Sequence, residues 1–287
     1  MHLLALRLPP LAAEVLAGYV AGSAKTLALY PLDTLTTLRE TRATRAWGLR
    51  DLKRFYAGCG LTLLGALPFA VLFHTAFWLC EAVFLSGSHL PSATVKLCAS
   101  VCGAMAATTI GVPFEVLKHR LQLGTDAYRT PRRALATTLR DDGVRGLWVG
   151  FGATLARNVP YNALHFGLFE LFVFQLRRRA ITLLSADGCN LLAGALAGAI
   201  TALLTTPMDL VNTRLQTQAV GALSTPSDVA LASSFNGPLE CLMEVARVEG
   251  GVPALFRGAE MRVAQYAPSA LIFFYVYGWV KRAAGLV

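Results

Sequence analysis

Three carboxylates stand where a membrane protein rarely carries charge, at the ends of long apolar segments. Each lies two residues after a proline, in the segments PLDTLTTLRE, PFEVLKHRLQ and PMDLVNTRLQ. A charge at membrane depth is costly unless it faces a watery cavity and finds a partner. We therefore predict that the acids line a cavity, where ion pairs that form and break would act as a gate. The acids are Asp33, Glu115 and Asp209, and the prolines, which we expect to kink their helices, are Pro31, Pro113 and Pro207.

The composition indicates an all-α membrane protein. Of the 287 residues, 55 % are hydrophobic and 15 % are charged, whereas soluble domains carry about 25 % charged residues. Four stretches without Asp, Glu, Lys or Arg approach or exceed the ~20 residues that a spanning helix needs. They are 55–80, 97–114, 188–208 and 263–280. With two more polar stretches near 15–30 and 151–176, the sequence predicts six transmembrane helices.

The same features exclude several classes of function. A soluble enzyme is incompatible with six spans, and the chain has no nucleophile–base motif, so we expect no enzymatic activity and no cofactor. The net charge of +9 lies mainly in loops between the spans, which indicates contact with anionic lipid and not with nucleic acid. The six cysteines form no C-x-x-C pair, so we predict that they pack as small apolar side chains and hold no metal.

An internal repeat divides the chain into three similar units. After each Pro-x-acid segment, a glycine precedes a second proline by ten residues, and aromatic residues recur at fixed distances around both. Both spacings, that of the Pro-x-acid segments and that from the glycine to the second proline, recur three times. This recurrence indicates three tandem units of two helices each. We place the units at 11–88, 89–182 and 183–287. The glycines are Gly58, Gly150 and Gly258, and the second prolines are Pro68, Pro160 and Pro268.

The long loop within each unit contains a short amphipathic stretch. These stretches lie near 49–55, 130–141 and 238–248, and their apolar spacing predicts short surface helices. The second and third loops then continue with an acid followed by glycine, in DDG and VEGG, which the first loop lacks.

The tandem segments resemble the mitochondrial carrier family, whose signature is Pro-x-[Asp/Glu]-x-x-[Lys/Arg] repeated three times. The resemblance extends over essentially the whole chain. It implies six transmembrane helices with pseudo-threefold symmetry around a central cavity, in a monomer of the mitochondrial inner membrane. It also implies that a small-molecule substrate is exchanged by alternating access (antiport). Cardiolipin would bind at the helix starts that follow the YAG, WVG and FRG segments.

The family places a base five residues after each proline, and this chain departs from that pattern twice. Only Lys118 is charged there, because Thr36 and Asn212 occupy the other two positions. The family's pairing predicts one ion pair, between Asp33 and Lys118, and hydrogen bonds from the two neutral residues to the remaining acids. The expected contacts of this matrix gate are Thr36 with Asp209 and Asn212 with Glu115.

A glutamine nine residues after the proline braces these pairs in many members of the family. Gln122 and Gln216 occupy that position in the second and third units. Glu40 stands at the equivalent position of the first unit. We include both glutamines in the predicted matrix gate.

The opposite ring of the family has the pattern [Phe/Tyr]-[Asp/Glu]-x-x-[Lys/Arg], of which only fragments remain. Glu170 is the one surviving acid and Lys281 the one surviving base, and the family's geometry does not pair them. We therefore expect a cytoplasmic gate without a strong ion-pair lock. It would comprise Phe77, Phe169, Glu170, Tyr277 and Lys281.

Polar residues close to the prolines of the second, fourth and sixth predicted spans indicate the substrate site. An arginine at mid-membrane needs a reason. It is either a clamp for a carboxylate or phosphate or a structural residue bonded to carbonyl groups, and we favour the clamp. The expected substrate-binding residues are Arg157, Asn158, Arg262, Gln265, Tyr266, Lys25 and His165.

A cavity lined by these bases would be cationic and would favour an anion or a zwitterion. The run RNVPYNALHFGLFE resembles both the S-adenosylmethionine carriers and the iron-carrying mitoferrins. We expect a carboxylate-bearing metabolite of the S-adenosylmethionine, amino-acid or keto-acid type. Two alternatives remain: an iron carrier that uses His74 and His165 as transient ligands, and a membrane scaffold without transport, suggested by the eroded charge rings.

Overall fold

The computed structural model describes residues 10–41, 54–87, 92–179, 186–222 and 235–283. This part of the chain forms six long helices and two short ones. In chain order they are α1 (Pro10–Glu40), α2 (Cys59–Gly87), α3 (Ser92–Gln122), α4 (Pro131–Asp141), α5 (Phe151–Arg179), α6 (Ala186–Ala222), α7 (Pro238–Val248) and α8 (Ala259–Ala283). The shortest of the long helices has 25 residues, which corresponds to about 37 Å and exceeds the ~30 Å hydrocarbon core of a bilayer.

Three of the long helices carry a stretch that is apolar enough to span a membrane by length and composition alone. These stretches are Arg54–Phe84, Cys98–Gln122 and Gly188–Gln218. The other three long helices, α1, α5 and α8, carry Lys25, Arg157 and Arg262, which line an internal cavity. Their polarity therefore reflects an internal surface, and the six long helices agree with the predicted all-α membrane fold.

The six long helices form a closed ring. Each packs against the long helix before and after it in the chain, and α8 packs back against α1. The pairs α1–α2, α3–α5 and α6–α8 are the three repeated units. Pro31, Pro113 and Pro207 lie inside continuous helices, and we call the end of the bundle beyond them the proline end.

A glycine in the left-handed backbone region starts the second long helix of every unit. Gly58, Gly150 and Gly258 have φ angles of +85°, +78° and +84°, which residues with a Cβ rarely adopt. Their carbonyl groups accept hydrogen bonds from the amides four residues later, at Thr62, Thr154 and Arg262. The repeated glycine thus forms the turn that leads the chain back into the bundle.

The short helices α4 and α7 lie at the amphipathic stretches predicted for the second and third loops and confirm those two predictions. Most of the stretch predicted for the first loop, 49–55, lies outside the described residues. The side chain of Thr130 caps α4 by accepting a hydrogen bond from the amide of Arg133, a typical stabilising cap. Each short helix buries two residues that lie one turn apart on the same face: Ala134 and Thr138 in α4, and Cys241 and Val245 in α7.

A buried arginine seven residues after the proline fixes the loop in the second and third units. Arg120 donates hydrogen bonds to Thr138 (2.9 Å) and Asp142 (2.7 Å). Arg214 forms a bidentate ion pair with Glu249, which also pairs with Arg257. The acids of the DDG and VEGG segments therefore neutralise arginines that would be costly to bury alone.

The first unit replaces this ion pair by apolar packing. Leu38 stands seven residues after Pro31 and joins a buried cluster with Leu117, Leu121 and Tyr128. The absence of the acid–glycine pair from the first loop thus accompanies the absence of the arginine that it would neutralise.

The cysteines are all free thiols. Cys241 is fully buried in a cluster with Leu210, Val211 and Leu255, and this burial raises the pKa of its thiol to about 12. Its surroundings are those of a packed apolar side chain.

Candidate transport site

A cavity of about 420 Å³ lies at the centre of the bundle, beside the proline end. Six of the seven predicted substrate residues line it, together with five of the predicted matrix-gate residues. The lining substrate residues are Lys25, Arg157, Asn158, Arg262, Gln265 and Tyr266, and the lining gate residues are Asp33, Thr36, Glu115, Lys118 and Asp209. The predicted site and the predicted gate are therefore parts of one polar surface.

His165 is the predicted substrate residue that does not belong to this lining. Its ring stacks on that of Tyr161, with centroids 5.8 Å apart, and its Nδ1 is buried without a hydrogen-bond partner among the described residues. The structure thus gives His165 a packing contact with Tyr161, which does line the cavity.

One ion pair joins the first unit to the second. Lys118 Nζ lies 2.7 Å from Asp33 Oδ2, as the sequence predicted. Gln122 Nε2 donates to the same carboxylate oxygen at 2.8 Å, and the ammonium group also lies 5.9 Å from the centre of the Tyr30 ring. Asp33 is thereby satisfied by a charge and an amide together.

The residue nine positions after each proline contacts the residue six positions after the proline of the preceding unit, and the first unit contacts the third in the same way. Gln122 accepts from Thr37 at 2.8 Å, and Gln216 Oε1 lies 2.6 Å from His119 Nδ1. Glu40 accepts from Thr213 at 2.6 Å. These three contacts lie beyond the prolines and hold α1, α3 and α6 together at the proline end.

Two arginines, one on α5 and one on α8, form ion pairs with the acids that Lys118 does not contact. Arg157 lies 2.9 Å from Glu115 and 3.4 Å from Asp209. Arg262 lies 2.5 Å from Asp209 and 3.6 Å from Glu40. All of these side chains are largely buried, and charges in such surroundings are stable only when they are paired.

The cavity carries balanced charge, which corrects the prediction of a cationic cavity. Four acids and four bases line it. The acids are Asp33, Glu40, Glu115 and Asp209, and the bases are Lys25, Lys118, Arg157 and Arg262. The prediction was wrong because the bases were counted as cavity residues and the acids as a separate gate below them.

Two tyrosines form the aromatic part of the cavity wall. The hydroxyl groups of Tyr161 and Tyr266 are 2.6 Å apart. A Cβ at Gly198 on α6 would lie 2.2 Å from the ring of Tyr266, so only glycine lets this ring approach α6 so closely. The paired tyrosines therefore depend on a close approach between α6 and α8.

Comparison with known proteins agrees with this architecture. The family model described as "Mitochondrial carrier protein" matches residues 90–179 and 188–285, which is more than half of the chain. The chain belongs to the mitochondrial carrier family. The carrier is 34 % identical over 269 residues to S-adenosylmethionine carrier 1, chloroplastic/mitochondrial, of Arabidopsis thaliana, covering 93 % of this chain and 77 % of the relative.

Two animal relatives extend the comparison. The mitochondrial S-adenosylmethionine carrier protein of Xenopus laevis is 30 % identical over 277 residues, which cover 94 % of this chain and 97 % of that protein. A mitochondrial glutathione transporter of Xenopus tropicalis is 28 % identical over 232 residues, covering 80 % and 66 % of the two chains. The relatives are thus carriers of small organic solutes.

The carrier departs from the family's gate in a way that the sequence pairing did not predict. Asp209 and Glu115 have arginine partners, so the contacts expected with Thr36 and Asn212 are wrong. Thr36 donates instead to the carbonyl of Leu32 at 2.9 Å, and Asn212 accepts from Thr154 at 2.9 Å. The guanidinium groups of Arg157 on α5 and Arg262 on α8 reach these acids. Their charge-assisted hydrogen bonds to a carboxylate are stronger than those that a neutral side chain can form.

The predicted cytoplasmic-gate residues lie near the opposite end of the carrier. Phe77 stacks on Phe73 within α2, and Tyr277 stacks on Phe273 within α8. Lys281 lies 5.5 Å from the centre of the Tyr277 ring. Phe169 lies near Gly194 of α6, and Glu170 is exposed.

The iron-carrier alternative has no support in the carrier's ligand chemistry. Within the described residues no group of three or more His, Cys, Asp and Glu side chains is arranged to hold a metal ion. His74 packs edge-on against Phe73, and His165 stacks on Tyr161. Both histidines make aromatic contacts instead of converging.

Several contact residues of the proline end were not singled out from the sequence. Thr37, His119 and Thr213 share an offset of six residues from the proline, and Arg120 and Arg214 share an offset of seven. The guanidinium groups of these two arginines donate to the main-chain carbonyls of Gln216 and Glu40. The common offsets were visible in the aligned repeats and could have identified all five.

We predict that reversing the charge of either Asp33 or Lys118 destabilises the carrier, whereas reversing both restores part of the loss. Either single reversal places like charges at 2.7 Å, at a cost of about 2 kcal/mol or more. Thermal unfolding of the purified carrier in detergent measures the effect. The control is the exposed pair of Arg39 and Glu260 at 3.9 Å, where the same reversals should change stability by less than about 1 kcal/mol. Equal losses in the single and double variants of the first pair would contradict the prediction.

Proposed function

We propose that this carrier moves a small metabolite that bears both a carboxylate and a cationic group, with S-adenosylmethionine as the first candidate. The observation that supports this proposal is the balanced charge of the cavity. A pure anion would have to separate the arginines from their acids and leave those acids unpaired. A substrate with both charges can supply a partner to each side of every ion pair that it displaces.

The cavity offers distinct contacts for the parts of such a substrate. Lys25 lines the cavity, and no acid among the described residues lies within ion-pair distance of its ammonium group, so it is available to a carboxylate. Arg157 and Arg262 can bind the same carboxylate when they leave their acids. Asn158, held by Arg157 and by a 3.0 Å hydrogen bond to Thr108, presents a polar amide beside them.

The tyrosines and the acids suit the cationic part of the substrate. A sulfonium or ammonium group is attracted to the face of an aromatic ring, and Tyr161 and Tyr266 both line the cavity. Glu115 and Asp209 would receive the cationic group once their arginines turn to the carboxylate. A cavity of about 420 Å³ lies within the range of small-molecule sites, roughly 300–1,000 Å³.

The names of the relatives support the same class of substrate and suggest a second candidate. Relatives that are 30–34 % identical to this chain over 93–94 % of its length are named S-adenosylmethionine carriers. Others are named glutathione transporters, and glutathione also carries carboxylates and an ammonium group. Amino acids also carry both charges and fit the same cavity chemistry, whereas keto acids lack the cationic group.

We further propose where and how the carrier acts. It would lie in the mitochondrial inner membrane, although the plant relative is named as both chloroplastic and mitochondrial. It would work as a monomer by alternating access, with the matrix gate and the cytoplasmic gate named above opening in turn. Cardiolipin phosphates would bind the amides that follow Gly58, Gly150 and Gly258.

Uptake into liposomes tests the proposed substrate. We predict that the purified carrier, reconstituted with internal S-adenosylmethionine, takes up the labelled compound at least tenfold faster than protein-free liposomes. Parallel assays with glutathione, amino acids, keto acids and Fe²⁺ separate the other candidates. Uptake of a keto acid without S-adenosylmethionine would contradict the requirement for a cationic group, and a correctly folded carrier that moves none of these would favour the scaffold alternative.

We predict that Gly198→Ala raises the KM for S-adenosylmethionine at least fivefold, because the added methyl group displaces the Tyr266 ring and breaks its contact with Tyr161. Gly194→Ala is the matched control, since it lies one turn earlier on the same helix and its Cβ would lie 3.9 Å from the nearest atom. Initial rates of uptake at several substrate concentrations give KM for both variants. An unchanged KM in Gly198→Ala would show that the tyrosine wall does not contact the substrate.

A further inference from the structure

Each junction between units at the proline end is crossed by an ion pair. Lys118 of the second unit meets Asp33 of the first at 2.7 Å. Arg157 of the second unit meets Asp209 of the third at 3.4 Å. Arg262 of the third unit meets Glu40 of the first at 3.6 Å.

Only the first of these junctions uses the residues that the aligned signature provides. At the other two, the bases expected five residues after the proline are replaced by Asn212 and Thr36. The substitute bases are arginines, located three and six residues before the prolines of α5 and α8. Each arginine binds the acid of its own unit first, Glu115 at 2.9 Å and Asp209 at 2.5 Å, and reaches the acid of the next unit with the same guanidinium group.

The direction of the charge pairing is reversed at these two junctions. In the aligned signature, the third unit would supply a base to the second at position 212, and the first would supply a base to the third at position 36. Here the second unit supplies the base to the third, and the third supplies the base to the first. Glu40 is the acid that makes the last reversal possible, because the equivalent residues of the other units are the neutral Gln122 and Gln216.

The carboxyl group of Glu40 is buried beside the guanidinium group of Arg262. The side chain of Glu40 is 3 % exposed, and its Oε1 is buried without a hydrogen-bond partner among the described residues. A buried carboxylate left in this state needs a neighbouring positive charge, and Arg262 lies on that side. Its other oxygen accepts from Thr213, which is the same bracing contact that the two glutamines make.

We infer that the proline end of this carrier is closed by a ring of reversed polarity, in which Glu40 with Arg262, and Asp209 with Arg157, replace the pairs lost at positions 36 and 212. Both replacement bases also line the substrate cavity. If the proposed function holds, a substrate carboxylate therefore competes directly with the gate acids for the same two guanidinium groups. Binding and gate opening would then be one exchange of partners.

Restoring the signature in the first unit tests the ring without any substrate. Glu40→Gln removes the acid of the third junction. Adding Thr36→Lys gives the first unit the Lys and Gln that the second unit already has, and Thr36 lines the same cavity as Asp209. The stability of the purified variants is measured by thermal unfolding in detergent. Opening is measured as the modification rate of Thr217→Cys, a fully buried position of α6, read by mass spectrometry of its peptide.

The inference predicts that Glu40→Gln lowers the unfolding temperature by several degrees and speeds modification at position 217 at least threefold. The double variant should recover most of both changes, and the exposed control Glu260→Gln should change neither. A Glu40→Gln variant as stable and as closed as the starting protein would overturn the inference, as would a double variant no better than the single one. If Glu40→Gln cannot be purified, Arg262→Gln and Arg262→Lys replace it, and only the first should open the ring. Failure of the liposome assay would count against the proposed function and leave these substrate-free results unaffected.

Discussion

The need to pair buried charge governs the centre of this protein. Four carboxylates lie at or beside the proline end, and the largely buried ones are stable only because positive groups reach them. One of those positive groups, Lys118, lies five residues after its proline, where the repeated signature predicts a base. The other two come from helices that face the cavity. Much of the arrangement of the bundle's centre follows from how those two arginines are placed.

The supporting structure keeps these helices at the required distance. Left-handed glycines turn each chain segment into its second long helix, and buried arginines of α3 and α6 hold the loops that carry α4 and α7. The bracing contacts of Gln122, Gln216 and Glu40 then fix α1, α3 and α6 relative to one another. The first unit keeps the brace and loses the arginine–acid pair, since Leu38 packs into an apolar cluster instead.

Much of the fold was predictable because it rests on spacing within the chain. Six long helices, three repeated units and the contact between Asp33 and Lys118 follow from residues at equal offsets in aligned segments. The partners of Glu115 and Asp209 were not predictable in this way, because Arg157 and Arg262 lie on other helices and at two different offsets from their prolines. The role of Gly198 also depends on a close approach in space, and its offset within α6 gives no indication of the Tyr266 ring.

The substitution of gate bases by cavity arginines has a direct consequence at the second junction, between the units that carry α4 and α7. The most direct measurement is the distance between nitroxide labels introduced through unnatural amino acids at the exposed positions Arg133 on α4 and Leu239 on α7, recorded by pulsed electron resonance without substrate. We expect Arg157→Gln to shift the distance distribution toward longer separations, because the ion pair with Asp209 is lost. Distributions that superimpose in the two proteins would show that Arg157 does not hold this junction closed.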